Sequence, residues 1–241
     1  MSVFASLVEH LADLLQPLFG GSAAAAAIVL FTALVRLLVH PLSRAAARGQ
    51  KARAELQPRI AELRRTHAKN PERLQRAVLD LHTEAKVSPL SGCLPSLCQI
   101  PAFFLLYHLF SSSSIGGEAN ALLSHQLLAA PLGGRWADAL GDGGPFGGAG
   151  LVYAVLFAVV AGVAFFSYRL TKRTMADRPL LPEAEAEADG QRVPGLGAIT
   201  GVMPFMSFFT LVTVAVVPLA AALYVVTSTT WSVVERAVLY R

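Results

Sequence analysis

Ala23-Ala-Ala-Ala-Ala-Ile-Val-Leu-Phe-Thr-Ala-Leu-Val-Arg-Leu-Leu-Val-His-Pro41 is an apolar run long enough to cross a bilayer, interrupted by one permanent charge, Arg36. A hydrocarbon core of roughly 30 Å takes about 20 helical residues, so the run predicts a membrane span over residues 22–42. A charge near the middle of a span costs roughly 2.5–3.5 kcal/mol, which makes an intramembrane arginine a candidate functional residue in need of a partner. The apolar cores contain no Asp or Glu; Glu235, at the far end of the last one, is nearest.

The chain as a whole is 54% hydrophobic and 15% charged, with mean hydropathy +0.52. That balance reads as a polytopic, all-α membrane protein rather than a soluble domain. Further spans are expected over residues 89–110 and 150–170. From Leu196 to Val234 the chain is nearly uncharged, a length roughly twice one span, so it must fold back. The break is expected between Thr213 and Pro218, because proline suits the first turn of a new helix. Spans over 197–214 and 217–236 complete a set of five, with 237–241 as a short tail.

Basic residues set the orientation, since short Lys- and Arg-rich loops stay in the cytoplasm. Eleven of the 20 Lys and Arg fall within residues 43–88, whereas 111–149 holds only Arg135 and 1–21 holds none. Arg169, Lys172, Arg173, Arg178 and Arg192 mark the third connection, 171–196, as cytoplasmic, and Arg236 and Arg241 do the same for the carboxyl end. The amino terminus is therefore expected outside.

Residues 1–21 lack the basic start of a signal peptide. Phe4, Leu7, Val8, Leu11, Leu14, Leu15 and Leu18 recur at helical spacing, opposite Ser6, Glu9, His10 and Asp13. This is an amphipathic helix, with two readings open: it lies on the outer membrane surface, or it packs on the protein's own outer loop.

Between the first two spans, Leu56, Ile60 and Leu63, then Leu74, Val78, Leu81 and Ala85, form narrow apolar stripes on either side of Lys69-Asn-Pro-Glu72. Asn caps helices, Pro is tolerated at their first position and Glu there favours the dipole, so residues 43–88 read as a basic helical hairpin whose stripes cover each other. Its charges serve topology and solubility, or contact lipid or RNA. His67 and His82 are expected on its solvated surface. The outer loop, 111–149, is rich in Gly, Ser and Ala, and short interfacial helices are expected there. Glu183-Ala-Glu-Ala-Glu-Ala-Asp189, flanked by prolines, reads as a mobile loop. Cys93 and Cys98 point to different faces of one helix and have no His or carboxylate at ligand spacing, so neither a disulfide nor a metal site is expected. No cofactor motif and no catalytic Ser, His and Asp arrangement is present in the sequence.

Leu34-Val-Arg-Leu-Leu-Val-His-Pro-Leu-Ser43, Gln57-Pro58, Asn70-Pro71 and above all Ser88-Pro-Leu-Ser-Gly-Cys-Leu-Pro-Ser-Leu-Cys-Gln-Ile-Pro-Ala-Phe103 resemble the YidC family of membrane protein insertases. Pro218-Leu-Ala-Ala-Ala-Leu-Tyr224 is similar to the family's last span, more loosely. The resemblance covers nearly the whole chain. It implies a non-enzymatic insertase of the bacterial plasma membrane, whose spans surround a polar groove open to the cytoplasm and to lipid. It carries the family's intramembrane arginine onto Arg36, which water in such a groove would solvate. Thr32 lies four residues earlier on the same face; Ser96 and Gln99 share a face of the second span, and Tyr224 and Ser228 a face of the last. Each of these polar residues has a plainer reading as a helix–helix contact, and Arg36 has one as a side chain snorkelling to the cytoplasmic headgroups.

The implied partners are nascent membrane proteins and the bilayer, with a Sec translocon and the ribosome as further candidates, and the implied state is a monomer. Ala220 and Val225 depart from the family's usual glycine and large aromatic, and the third span lacks an expected Gln. The expected absence of a basic tail and of a large extracytoplasmic domain resembles the Gram-positive type. Two other functions remain: an anion or solute pathway selected by Arg36, and an assembly chaperone that docks on a larger translocase.

Overall fold

The computed structural model describes residues 2–68, 70–85, 104, 107–115, 117–177 and 203–239. Most of the expected second span, including Cys93, Ser96, Cys98 and Gln99, and the acidic run of the third connection lie outside the described residues.

The described chain is mostly helical. Helix α1 is Ser2–Phe19, α2 Ala23–Thr66 and α3 Pro71–Glu84. Two small antiparallel hairpins follow, β1 (Ser114–Ile115) with β2 (Glu118–Ala119) and β3 (Gln126–Leu127) with β4 (Ala130–Pro131). Then come α4 (Trp136–Gly141), α5 (Gly148–Asp177), α6 (Phe209–Val216) and α7 (Leu219–Leu239). Two compact units result: α1, α2 as far as Leu37, the β-hairpins and α4–α7 build one, and the remainder of α2 with α3 builds the other.

Among the described residues, two helices are long and apolar enough to cross a membrane, one running through the Ala23–Pro41 stretch and the other being α5. On α5, Tyr153, Leu156, Val160 and Ala164 form a buried stripe at helical spacing, while Leu151, Val155, Val159, Phe165 and Phe166 are exposed. On α2, Ala24, Ala27, Ile28 and Phe31 are buried while Leu30, Leu34, Leu37 and Leu38 are exposed. Exposed apolar side chains in such numbers on long helices suit lipid, not water.

The boundaries differ from the sequence reading. Helix α2 does not stop at Pro41 but runs through Pro41 and Pro58 to Thr66, so the expected first span and the first hairpin helix are one element. Each proline removes one backbone donor, a local loss that the long ladder on either side outlasts. Likewise α5 continues past residue 170 to Asp177. The uncharged run after Leu196 breaks at Val217, whose extended backbone (φ -83, ψ 158) ends α6. Pro218 stands just before α7, its carbonyl accepting from the Ala222 N–H at 2.9 Å.

Helix α1 divides its apolar arc. Val8 and Ala12 are buried, with Ala5, Leu11 and Leu15 packed against the same cluster, while Leu7, Leu14 and Leu18 are exposed. Packing against the protein therefore takes one side of the helix, and the other side is an uncovered apolar stripe.

The stretch 111–149, expected as a loop, contains the short helix α4 and a 3-10 turn over Ala121–Ser124, but also the two β-hairpins that were not expected. Their strands are two residues long, too short to show a period of two in sequence. Leu128 turns the second hairpin with φ 55, and Gly117 turns the first with φ 92. Buried Asn120 organises this region: its Nδ2 donates to the carbonyls of Leu109 (2.8 Å) and Ser112 (3.0 Å). The loop also completes α7, because Leu219 N–H donates to Gly134 O and Ala220 N–H to Leu132 O, each at 2.9 Å. Those amides belong to the first turn, where a helix has no internal acceptors.

In the hairpin unit, Leu56, Ile60 and Leu81 are buried together, flanked by Leu63 and Val78. Asn70 caps α3 by accepting from the Arg73 N–H at 3.0 Å, with Pro71 in the first turn. His82 corrects the sequence reading. It is buried, its Nδ1 lies 2.7 Å from the Val78 carbonyl, and its Nε2 has no hydrogen-bond partner among the described residues. Its place one residue after Leu81 put it beside the apolar stripe, where packing overrides its polarity.

Candidate functional site at Arg36

Arg36 is carried by α2 one turn beyond Thr32, and α7 carries Tyr224 and Ser228 one turn apart. The structure brings the two helices together here. The guanidinium of Arg36, half-buried, donates through Nε to the Ser228 hydroxyl oxygen at 3.1 Å, and a terminal nitrogen donates to the same oxygen. A hydroxyl has two acceptor lone pairs, so one serine can receive both arms of the fork. Tyr224 and Glu235 lie within electrostatic reach of the guanidinium. Glu235 occupies the same face of α7, since 224, 228 and 235 are separated by four and seven residues.

The other expected site residues are placed as follows. Thr32 is buried, and its hydroxyl donates to its own helix at Ile28 O, 2.7 Å away. Tyr224 is buried with its ring 6.0 Å from that of Phe110 at a 43° tilt. Ser228 is buried as well, and its carbonyl accepts from the Ser232 hydroxyl at 3.0 Å. Ser96 and Gln99 lie outside the described residues. Ala220 and Val225, the departures noted above, are both part of the buried cluster.

A second polar contact escaped the sequence reading. Ser167 of α5 and Ser207, in the 3-10 turn Met203–Phe208, bring their hydroxyl oxygens within 3.0 Å. A serine within an apolar run is the available signal, because such side chains hydrogen-bond between membrane helices. Among the described residues no group of His, Cys, Asp and Glu is arranged to hold a metal ion.

The guanidinium is thus held by the Ser228 hydroxyl with Glu235 in electrostatic reach, and such a cation can bind an anionic or polar group. Residues 14–241 match the family model described as the 60Kd inner membrane protein. The chain belongs to the 60Kd inner membrane protein family. The resemblance to YidC holds with it. A segment of 84 residues is 44% identical to the membrane protein insertase YidC of Clostridium perfringens, covering 35% of either chain. Over 100 residues the identity to the YidC of Chloroherpeton thalassium is 37%, covering 42% of this chain and 17% of that one. The YidC of Geobacter sulfurreducens is 37% identical over 81 residues, 34% of this chain and 15% of its own. The matched segments thus span about a third or less of the curated relatives' length. Family membership brings a bacterial inner membrane setting with it.

Proposed function

We propose that this chain inserts newly made membrane proteins into the bacterial inner membrane by offering their polar segments a solvating contact at Arg36. Five spans, with the amino terminus outside and the carboxyl terminus in the cytoplasm, are part of that reading, as is a groove lined by Arg36, Thr32, Ser96, Gln99, Tyr224 and Ser228. The observation that carries it is the half-buried guanidinium held by the neutral Ser228 hydroxyl. An arriving carboxylate is a stronger, charged acceptor for this guanidinium than a hydroxyl is.

The driving force is thermodynamic. A nascent chain's polar tail loses hydration on entering an apolar environment, at a cost of roughly 2–7 kcal/mol for each unsatisfied amide or hydroxyl. Water and donors around Arg36 lower that cost, and burial of a hydrophobic segment in lipid then drives release. The exposed apolar faces of α2 and α5 suit sliding contact with such a segment.

Reconstitution of the purified chain with a single-span substrate tests this. Arg36→Ala is expected to lower insertion several-fold for a substrate with an acidic translocated tail, and less for one with a neutral tail. Equal insertion of both by parent and variant would remove the role claimed for Arg36. Insertion by neither protein would favour the docking chaperone instead. Aqueous thiol reagents reaching Arg36→Cys from both sides of the membrane would favour a solute pathway.

A further inference from the structure

The cytoplasmic topology signal Arg169, Lys172 and Arg173 is also a constructed surface. All three are exposed on α5, and with Phe165 and Tyr168 they line a cleft of about 530 Å³ with no carboxylate among its described lining residues. The cations rest on rings: Arg169 Cζ is 5.2 Å from the centre of Phe165 and Lys172 Nζ is 6.0 Å from that of Tyr168. Such contacts orient a cation without neutralising it. Tyr168 is itself braced by Phe205 and Phe208, at 5.2 and 6.2 Å between ring centres.

Position identifies the ligand. From Gly148 to Arg169 the helix rises roughly 32 Å at 1.5 Å per residue, close to the roughly 30 Å of a hydrocarbon core. Arg169 therefore falls at the hydrocarbon boundary, with Lys172 and Arg173 one turn further, at headgroup depth. On the apolar side Phe165 and Phe166 are about half exposed, a surface for acyl chains. A ligand matching this order has an anionic phosphate at one end and hydrocarbon at the other.

We propose that Arg169, Lys172 and Arg173 bind the phosphate of an anionic phospholipid whose acyl chains lie along Phe165 and Phe166. This rests on α5 spanning the membrane and is independent of what Arg36 does. A free phosphate or an RNA would satisfy the cations but leave the exposed rings uncovered.

The test uses the full chain in nanodiscs of mixed phosphatidylglycerol and phosphatidylcholine, followed by native mass spectrometry of retained lipid. The parent is expected to retain phosphatidylglycerol preferentially. Arg169→Gln/Lys172→Gln/Arg173→Gln, all at exposed positions, is expected to lose about ten-fold or more of that preference, since each removed cation gives up its attraction to the anionic headgroup. The control Arg64→Gln/Arg65→Gln/Arg73→Gln removes equal charge from the hairpin and is expected to keep it. Unchanged preference in the first variant, or equal loss in the control, would overturn the site. So would displacement of the lipid by inorganic phosphate or a short oligoribonucleotide. Alkaline carbonate extraction separates this from the spanning reading: release of the parent from membranes would sink that reading and the lipid site together, whereas retention with no lipid preference would sink the site alone.

Discussion

In the larger unit, Val8, Ile28, Leu109, Phe110, Leu122, Tyr153 and Leu219 belong to one buried cluster, drawn from segments far apart in sequence. In the hairpin unit, Leu56, Ile60 and Leu81 are the buried residues of a cluster supported, among the described residues, by Leu63 and Val78. The larger cluster is tied further by polar bonds of long reach: Tyr153 donates to Gly134 O at 2.7 Å, and the carbonyls of Leu132 and Gly134 accept from the first amides of α7. Among the described residues the hairpin shows the Asn70 cap and one short apolar seam. A cooperative unit opens as a whole, whereas a short seam opens locally at low free energy. The charged, loosely held hairpin and the tightly packed unit are thus suited to different work, the one to yielding contacts and the other to holding Arg36 in place.

The contrast can be broken most directly at Ile28. Ile28→Ala leaves a cavity in the large cluster and is expected to destabilise that unit by about 2–5 kcal/mol, read as a lower midpoint of unfolding in mixed micelles. A loss below about 1 kcal/mol would mean that the cluster relaxes like a small one and would end the comparison. Leu81→Ala should cost about 2 kcal/mol, the low end for such a truncation, because a narrow seam can close around the gap. Hydrogen exchange should then rise in α3 and in α2 beyond Arg53 while α7 keeps its protection; loss of protection in α7 would show that the units unfold together. The smallest effect is expected of Asn70→Ala, about 1 kcal/mol from the lost cap. It should first appear as faster exchange at the Arg73 amide, and no change there would sharpen the view that the seam alone holds the hairpin.

Much of this was legible beforehand because it is written in local pattern. The helical spacing of Leu56, Ile60 and Leu63 on one helix and of Val78 and Leu81 on the next, the Asn70-Pro71 start and the break before Leu219 follow from side-chain periodicity and backbone chemistry within a few residues. His82 was misread because packing, not its own polarity, decides its exposure. The β-hairpins were missed because two-residue strands carry no period. The ends of α2 and α5 ran past their expected limits because hydropathy marks where apolar residues stop, not where the helical ladder does.

At the Arg36 site the sequence by itself determined that a charge stands in an apolar helix, that Ser228 shares a face with Tyr224, and that the family resemblance attaches to these residues. Only the tertiary structure decided that Arg36 and Ser228 meet across 192 residues of chain, and that carbonyls of Leu132 and Gly134 receive the first amides of α7. Periodicity reports which side of a helix is apolar, but the partner of a polar group is chosen by which helices pack together, and that choice is made by the summed burial of the whole unit.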